Sequence, residues 1–278
     1  MTEPADPKTP PQPQGRPRPR PRHSLLVRLT HWLNVLVLLV LLGSGLQIFN
    51  AHPALYWGHA STFADPWISM TAEPRGQGLA GVTQVGDLKL ETTGVLGLSD
   101  GMQRGFPAWA TLPGYRSLAE GRRWHFFFAW LFVFNGLAYL AWGLFSGHFR
   151  RDLAPQRREL SPRHLWTEIK DHLALRFPHG RYNALQKLVY LAVIFGLLPL
   201  MVVSGLGMSP GVNAAWPWTF EIFGGRQSAR TIHFLSALAL VAFVLIHIAM
   251  VFASGPVRQL RAMITGGEPS PPKPGALS

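Results

Sequence analysis

The 278-residue chain contains no cysteine. That excludes disulfides, thiolate zinc sites, iron–sulfur ligation and covalent attachment of a c-type haem. Any metal or cofactor is left to histidine, methionine or noncovalent contacts. Charge is scarce as well. Asp, Glu, Lys and Arg make up 14% of residues, against roughly 25% in soluble domains. Acid is scarcer than base, 14 residues against 26, which gives a formal charge of +12. Asp and Glu are absent from four apolar runs, at about residues 29–49, 124–145, 185–208 and 232–252. A spanning helix needs roughly 20 apolar residues, and each run approaches or exceeds that length. The alternative is a soluble bundle with buried helices, which four acid-free runs of this length argue against. The expected fold is an all-α integral membrane protein, a four-transmembrane-helix bundle.

No cleavable signal peptide is evident. Residues 1–22 are rich in Pro and Arg, with Arg16, Arg18, Arg20 and Arg22 set among prolines. Proline at that density opposes a helix and favours an extended, solvated tail. A basic tail ahead of the first run places the N-terminus in the cytoplasm. Nucleic-acid binding is the competing reading of such a tail, and no folded basic module accompanies it. The connection at 146–184 carries Arg150, Arg151, Arg157, Arg158, Arg163, Lys170, Arg176 and Arg181, and the segment after Phe252 adds Arg258, Arg261 and Lys273. The connection after the third run has only Arg226 and Arg230. This bias puts both termini on the cytoplasmic side of a bacterial inner membrane. Residues 256–278 are expected to form a disordered cytoplasmic tail.

Residues 50–123 are too long for a turn. They hold Gly, Pro, Trp and strand-like pieces such as Leu88–Thr93, so the expectation is a small periplasmic cap between helices 1 and 2. Trp57, Trp67, Trp109, Trp216 and Trp218 suit an aromatic belt there. Residues 160–178 read as an amphipathic interfacial helix, with Leu165, Trp166, Ile169, Leu173 and Phe177 at helical spacing. No internal repeat stands out.

Four of the eleven histidines lie inside or at the edge of the apolar runs. His233 and His247 sit fourteen residues apart in the fourth run. Fourteen steps return to within about 40° of the same helix face and rise about 21 Å. His31 lies at the cytoplasmic end of the first run and His125 at the periplasmic end of the second. Depth therefore pairs His31 with His247 and His125 with His233. Two neutral imidazoles can take both axial positions of one haem iron, a low-spin electron-transfer site. The plain reading of a lone His in an apolar helix is a satisfied core residue. Four matched by depth favour two haems, because ionisable groups inside a membrane are rare and usually functional. A zinc or non-haem iron site needs ligands converging on one point, which the separation along the fourth run opposes.

Arg28, Arg122 and Arg123 lie within a turn or so of a ligand candidate and suit haem propionates; interface anchoring is the plainer role. His23, just before the first run, is a lesser candidate for a propionate or a proton. Gly43, Gly45, Gly136, Gly196, Gly205 and Gly207 allow close approach of helices or of a flat ring, or reflect ordinary helix packing. Lys187, after Tyr182 and Asn183, suits a quinone head-group pocket, with helix capping by Asn183 as the blander account.

The stretch Arg28-Leu29-Thr30-His31-Trp32-Leu33-Asn34, followed by Ser44-Gly45-Leu46, resembles the first span of the bacterial cytochrome b561 and nickel-hydrogenase cytochrome b family. The fourth run, with His233 and His247, resembles that family's double-ligand helix. Residues Tyr182–Tyr190, Gly205–Pro210 and Gly224–Arg230 resemble the thiosulfate-reductase-type cytochrome b subunits within it. The resemblance covers about residues 23–255. It implies two b haems on His31, His125, His233 and His247, and partnership with a periplasmic molybdopterin oxidoreductase of the sulfite-oxidase type. The expected function is electron transfer between the quinone pool and that periplasmic partner. The competing readings are a stand-alone quinone oxidoreductase, a transporter with histidine proton relays, and a structural membrane anchor. The long segment between spans one and two departs from the smallest members.

Overall fold

The computed structural model describes residues 23–174 and 183–267. Among the described residues four helices, or helix assemblies, are long and apolar enough to cross a membrane: Leu25–Phe49, Leu118–Phe145, Ala184–Gly207 and Arg226–Ala253. They coincide with the four runs and extend them mainly at their N-terminal ends, where Ser24, Ser117 and Asn183 cap the first three. The first, α1 (Leu25–Phe49), begins at Ser24, whose hydroxyl accepts from the Val27 N–H.

Between the first two spans the chain leaves the helical pattern. Strands β1 (Ala54–Leu55), β2 (Ile68–Arg75), β3 (Gly78–Val85) and β4 (Leu88–Glu91) form an antiparallel sheet in sequence order. β5 (Gly97–Ser99) and β6 (Met102–Arg104) form a second, two-stranded sheet. The cap is therefore β-rich, and the all-α expectation holds only for the membrane part. The reason is local: residues 68–91 alternate and turn on glycines at positive φ, Gly76 and Gly86, a pattern of short hairpins. Phe49, Leu55, Ile68 and Met70 make the cap's buried core, with Trp67, Leu96, Phe106 and Phe234 packed against it.

The second span, α2 (Leu118–Phe145), starts at Ser117, which accepts from the Glu120 N–H. It packs antiparallel on α1. Gly121 meets Gln47 near one end, and Asn135 donates to the Thr30 carbonyl at 2.9 Å and to Asn34 Oδ1 at 2.7 Å near the other. The amphipathic segment forms α3 (Pro162–Leu173). Tyr182 and the basic residues Arg176 and Arg181, like residues 1–22, lie outside the described residues. Glu168 of α3 accepts from the Ala184 and Leu185 N–H groups, which ties α3 to the start of the third span.

That span is α4 (Ala184–Ala192), a π-helical turn at Val193–Leu197, and α5 (Leu198–Gly207). Pro199 has no N–H to donate and its ring crowds the carbonyl four residues back. The turn before it widens to accommodate that. Short helices α6 (Pro210–Ala215) and α7 (Trp218–Glu221) lead to the fourth span, α8 (Arg226–Ala253). A final amphipathic helix, α9 (Pro256–Thr265), follows at once. The expected disordered tail from residue 256 is thus helical over its first ten residues. Its last carbonyls are taken up by α1, with Arg28 donating to Ile264 O at 2.5 Å and Trp32 Nε1 to Met263 O at 3.1 Å; just outside both helices the His23 N–H donates to Gly266 O at 3.2 Å.

Candidate functional site

α1 and α2 form one helix pair, α5 and α8 another. The cap bolts the two together at one end of the bundle. Asn50, at the C-terminus of α1, exchanges two hydrogen bonds with the Phe106 backbone, at 3.0 and 2.6 Å. At the N-terminus of α8, the Gln227 and Ser228 N–H groups donate to Gly58 O. Ser228 Oγ accepts from the Gly58 N–H at 2.8 Å, and Thr231 Oγ1 donates to Tyr56 O at 2.6 Å. Arg230 donates to His52 O. The entry of α8 is thereby fixed one turn ahead of His233.

The four histidines meet as two pairs. His125 and His233 have ring centroids 6.3 Å apart and planes at 68°, at the cap end. His31 and His247 have centroids 6.2 Å apart and planes at 75°, at the opposite end. The pairing expected from depth is the pairing found, with each pair drawn from two helices. An imidazole nitrogen binds a first-row metal at about 2 Å and lies about 1.1 Å from its ring centre, so two imidazoles on one ion have centroids about 6.3 Å apart. Among the described residues no group of three or more His, Cys, Asp and Glu could hold a metal by itself. Two imidazoles per site suit an ion whose other four positions are filled by a macrocycle.

At the cap end the tautomer is fixed. Ser44 Oγ donates its proton to Val40 O at 2.6 Å, so it faces His125 Nδ1, 3.1 Å away, as an acceptor. Leu41 O, at 3.2 Å from the same nitrogen, can only accept. The proton is therefore on Nδ1, and Nε2 keeps its lone pair for a metal. On the other pair of helices Ser204 Oγ donates to Leu200 O at 2.6 Å and faces His233 Nδ1 at 3.0 Å. Glycine follows each serine. A Cβ on Gly45 would lie 3.3 Å from His125 Cε1, and one on Gly205 would lie 3.3 Å from His233 Cε1. Each imidazole rests in a glycine notch beside a serine acceptor.

The opposite pair has aromatic walls. The Trp32 ring lies 5.4 Å from His31, and Phe243 stacks on His247 at 6.0 Å and 25°.

The remaining candidates divide. Arg122 stands over the Phe126 ring at 5.6 Å, and Arg123 lies 3.8 Å from Glu120; both are exposed beside His125. Arg28 is bound to α9, as above. Gly43, Gly45, Gly205 and Gly207 are close-approach positions, whereas a Cβ on Gly136 or Gly196 would meet nothing within 4 Å. Asn183 makes a capping box with Gln186, the blander of its two readings. Lys187 Nζ pairs with Glu159 at 2.9 and 3.1 Å. Sequence reasoning missed the serines as partners of the histidines. The signal was present, since Ser-Gly-Leu occurs at 44–46 and again at 204–206.

Comparison with known proteins identifies the family. A protein of Azospira oryzae, described as a protein-methionine-sulfoxide reductase subunit, YedZ1, is 32% identical over 247 residues, 88% of this chain and 96% of that protein. Ni/Fe-hydrogenase B-type cytochrome subunits of Azotobacter chroococcum mcd 1 and Azotobacter vinelandii are each 26% identical over 136 residues, 45% of this chain and 57% of theirs. No solved structure matches significantly. The profile of the prokaryotic cytochrome b561 family matches residues 22–266, nearly the whole of the described chain, and the protein belongs to that family of membrane b-type cytochromes.

Proposed function

We propose that the protein is the di-haem b subunit of a bacterial inner-membrane redox complex, carrying electrons between the quinone pool and a periplasmic oxidoreductase. The observation that carries this reading is the pair of ring separations, 6.2 and 6.3 Å, at two levels about 21 Å apart along one helix. His125 and His233 hold one haem, His31 and His247 the other. Iron porphyrin between two neutral imidazoles supplies a one-electron couple with no open coordination position. The chain's own work is to hold the rings at that spacing, to keep Nε2 unprotonated and to exclude water from between the helices. Arg122 and Arg123, exposed within a turn of His125, would serve the propionates of the cap-side haem; Arg28, three residues before His31, would serve the other only by leaving the Ile264 carbonyl it binds.

The basic residues at 150–163 and 258–261 support a periplasmic cap and cytoplasmic termini. The cap face then docks the partner. Kinship with a subunit described as belonging to a protein-methionine-sulfoxide reductase favours a reductase over a hydrogenase as the partner, since that relative matches almost end to end; the molybdopterin type follows from the resemblance to thiosulfate-reductase-type cytochrome b subunits.

The test is the dithionite-reduced spectrum with a haem-to-protein ratio. Two b haems per chain are expected. His125→Ala or His233→Ala should each remove the same single haem, and His31→Ala or His247→Ala the other. Two intact haems in any of these variants would refute the ligand assignment.

A further inference from the structure

The cap-end site is built twice over. His125 and His233 are each the eighth residue of a 28-residue helix. Each ring lies beside a Ser-Gly-Leu triplet on the helix that precedes its own in the bundle. The hydroxyl-to-imidazole distances are 3.1 and 3.0 Å, and the hydroxyl-to-carbonyl bonds behind them are both 2.6 Å. The glycine notches match as well, at 3.3 Å in each case. The two helix pairs thus present the same device from opposite sides of one gap.

The opposite site breaks this symmetry. Fourteen residues beyond His233 lies His247, but fourteen beyond His125 lies Tyr139. The partner of His247 comes instead from α1, as His31. Among the described residues, the ring nitrogens of His31 and His247 have no hydrogen-bond partner, in contrast to the doubly supported cap-end pair.

We propose that Ser44 and Ser204 are positioning residues that bias the cap-side haem, and not the other, toward its oxidised state. The inference rests on the di-haem reading above. The physical chain is short. A hydroxyl oxygen that has given its own proton to a helix carbonyl is a committed acceptor. It draws the Nδ1–H outward and leaves more negative charge on Nε2, which makes the imidazole a stronger base toward the metal. A stronger base favours the more highly charged ferric ion. Two such ligands on one iron act in the same direction. The carbonyl of Leu41 also accepts from His125 Nδ1, so loss of the serine weakens the bias without freeing the tautomer.

The experiment is an equilibrium redox titration of the full-length protein in detergent, followed at the reduced b-haem bands, with haem content measured on the same samples. Ser44→Ala and Ser204→Ala should each raise the reduced-to-oxidised ratio of one haem severalfold at a fixed poise. The double variant should raise it about tenfold, equivalent to about 59 mV for a one-electron couple. The second haem should titrate as in the parent protein. Ser44→Thr and Ser204→Thr, which keep the hydroxyl, should restore the parent potential. An unmoved potential, a downward shift, or equal shifts in both haems would overturn the proposal. If an alanine variant loses the haem, retention in the matching threonine variant supports the hydroxyl's role, and loss in both rejects it in favour of packing. Fewer than two haems in the parent protein would count against the di-haem reading itself, a result read before any variant is compared.

Discussion

The Phe49 ring stacks on the Phe234 ring with centroids 4.8 Å apart and planes at 27°. Phe49 is the last residue of α1, and Phe234 follows His233 in α8. One aromatic contact therefore couples the cap's apolar core to the backbone that carries a haem-ligand candidate. Phe49 is almost fully buried, and truncating a buried Phe costs about 3 kcal/mol or more. Phe49→Ala should lower the melting temperature and release the cap-side haem first on heating. Thermal melts followed at the haem band and by tryptophan fluorescence would check this; simultaneous release of both haems would show that the stack is not specific to that site.

The glycine notches make a steric prediction. At Gly45 and Gly205 an added methyl would press on an imidazole edge at 3.3 Å, closer than ordinary van der Waals contact. Gly45→Ala and Gly205→Ala should tilt the ring, lower occupancy of the cap-side haem and alter its low-spin spectrum. Gly136→Ala, where a Cβ meets nothing within 4 Å, should leave both haems unchanged and favour the helix by up to about 1 kcal/mol. Haem stoichiometry and electron paramagnetic resonance of the three variants provide the comparison.

The Glu159–Lys187 pair predicts a pH dependence. The Gln156 N–H, then Lys187, hold the Glu159 carboxyl below its ordinary value, against a smaller opposing effect of burial. A carboxyl lowered on folding stabilises the folded chain above its unfolded pKa, about 4.3. That contribution is lost as pH falls through the lower folded value. Glu159→Gln should therefore melt at a lower temperature than the parent at pH 7, and the two curves should converge toward pH 3. A constant gap across that range would assign the difference to hydrogen bonding alone.

Topology gives the fourth prediction. A reporter fused after Ser278 should be cytoplasmic, and one inserted at the β2–β3 turn, near Gly76, should be periplasmic. Three spans separate the two positions, so matching signals would require an even number of crossings between them and would overturn the arrangement of four spans.

The membrane part was legible from the chain itself. Long acid-free runs admit one solution, because a helix alone satisfies its own backbone in lipid. The depths of His31, His125, His233 and His247 follow from residue counts along those helices, so their pairing was legible too. The cap was legible as an ordered insertion with strand-like pieces such as Leu88–Thr93, where β4 lies, but not as a sheet. Its sheet depends on pairings such as Ile68 with Val85 and Val82 with Glu91, and on contacts with helix ends more than a hundred residues away. The α9 helix was missed because its apolar face is short and gains stability by docking on Arg28 and Trp32, which a linear reading does not bring near.

What the sequence by itself determined is the set of spans, the absence of thiol chemistry and the two levels at which imidazoles occur. Helix period and rise are fixed by backbone geometry, so position along the chain converts directly into depth. What only the tertiary structure decided is which groups stand behind the ligands. Ser44 is 81 residues from His125 and Ser204 is 29 from His233. Whether a hydroxyl reaches an imidazole nitrogen depends on the rotation and contact of two separate helices, and nothing local in either segment sets that.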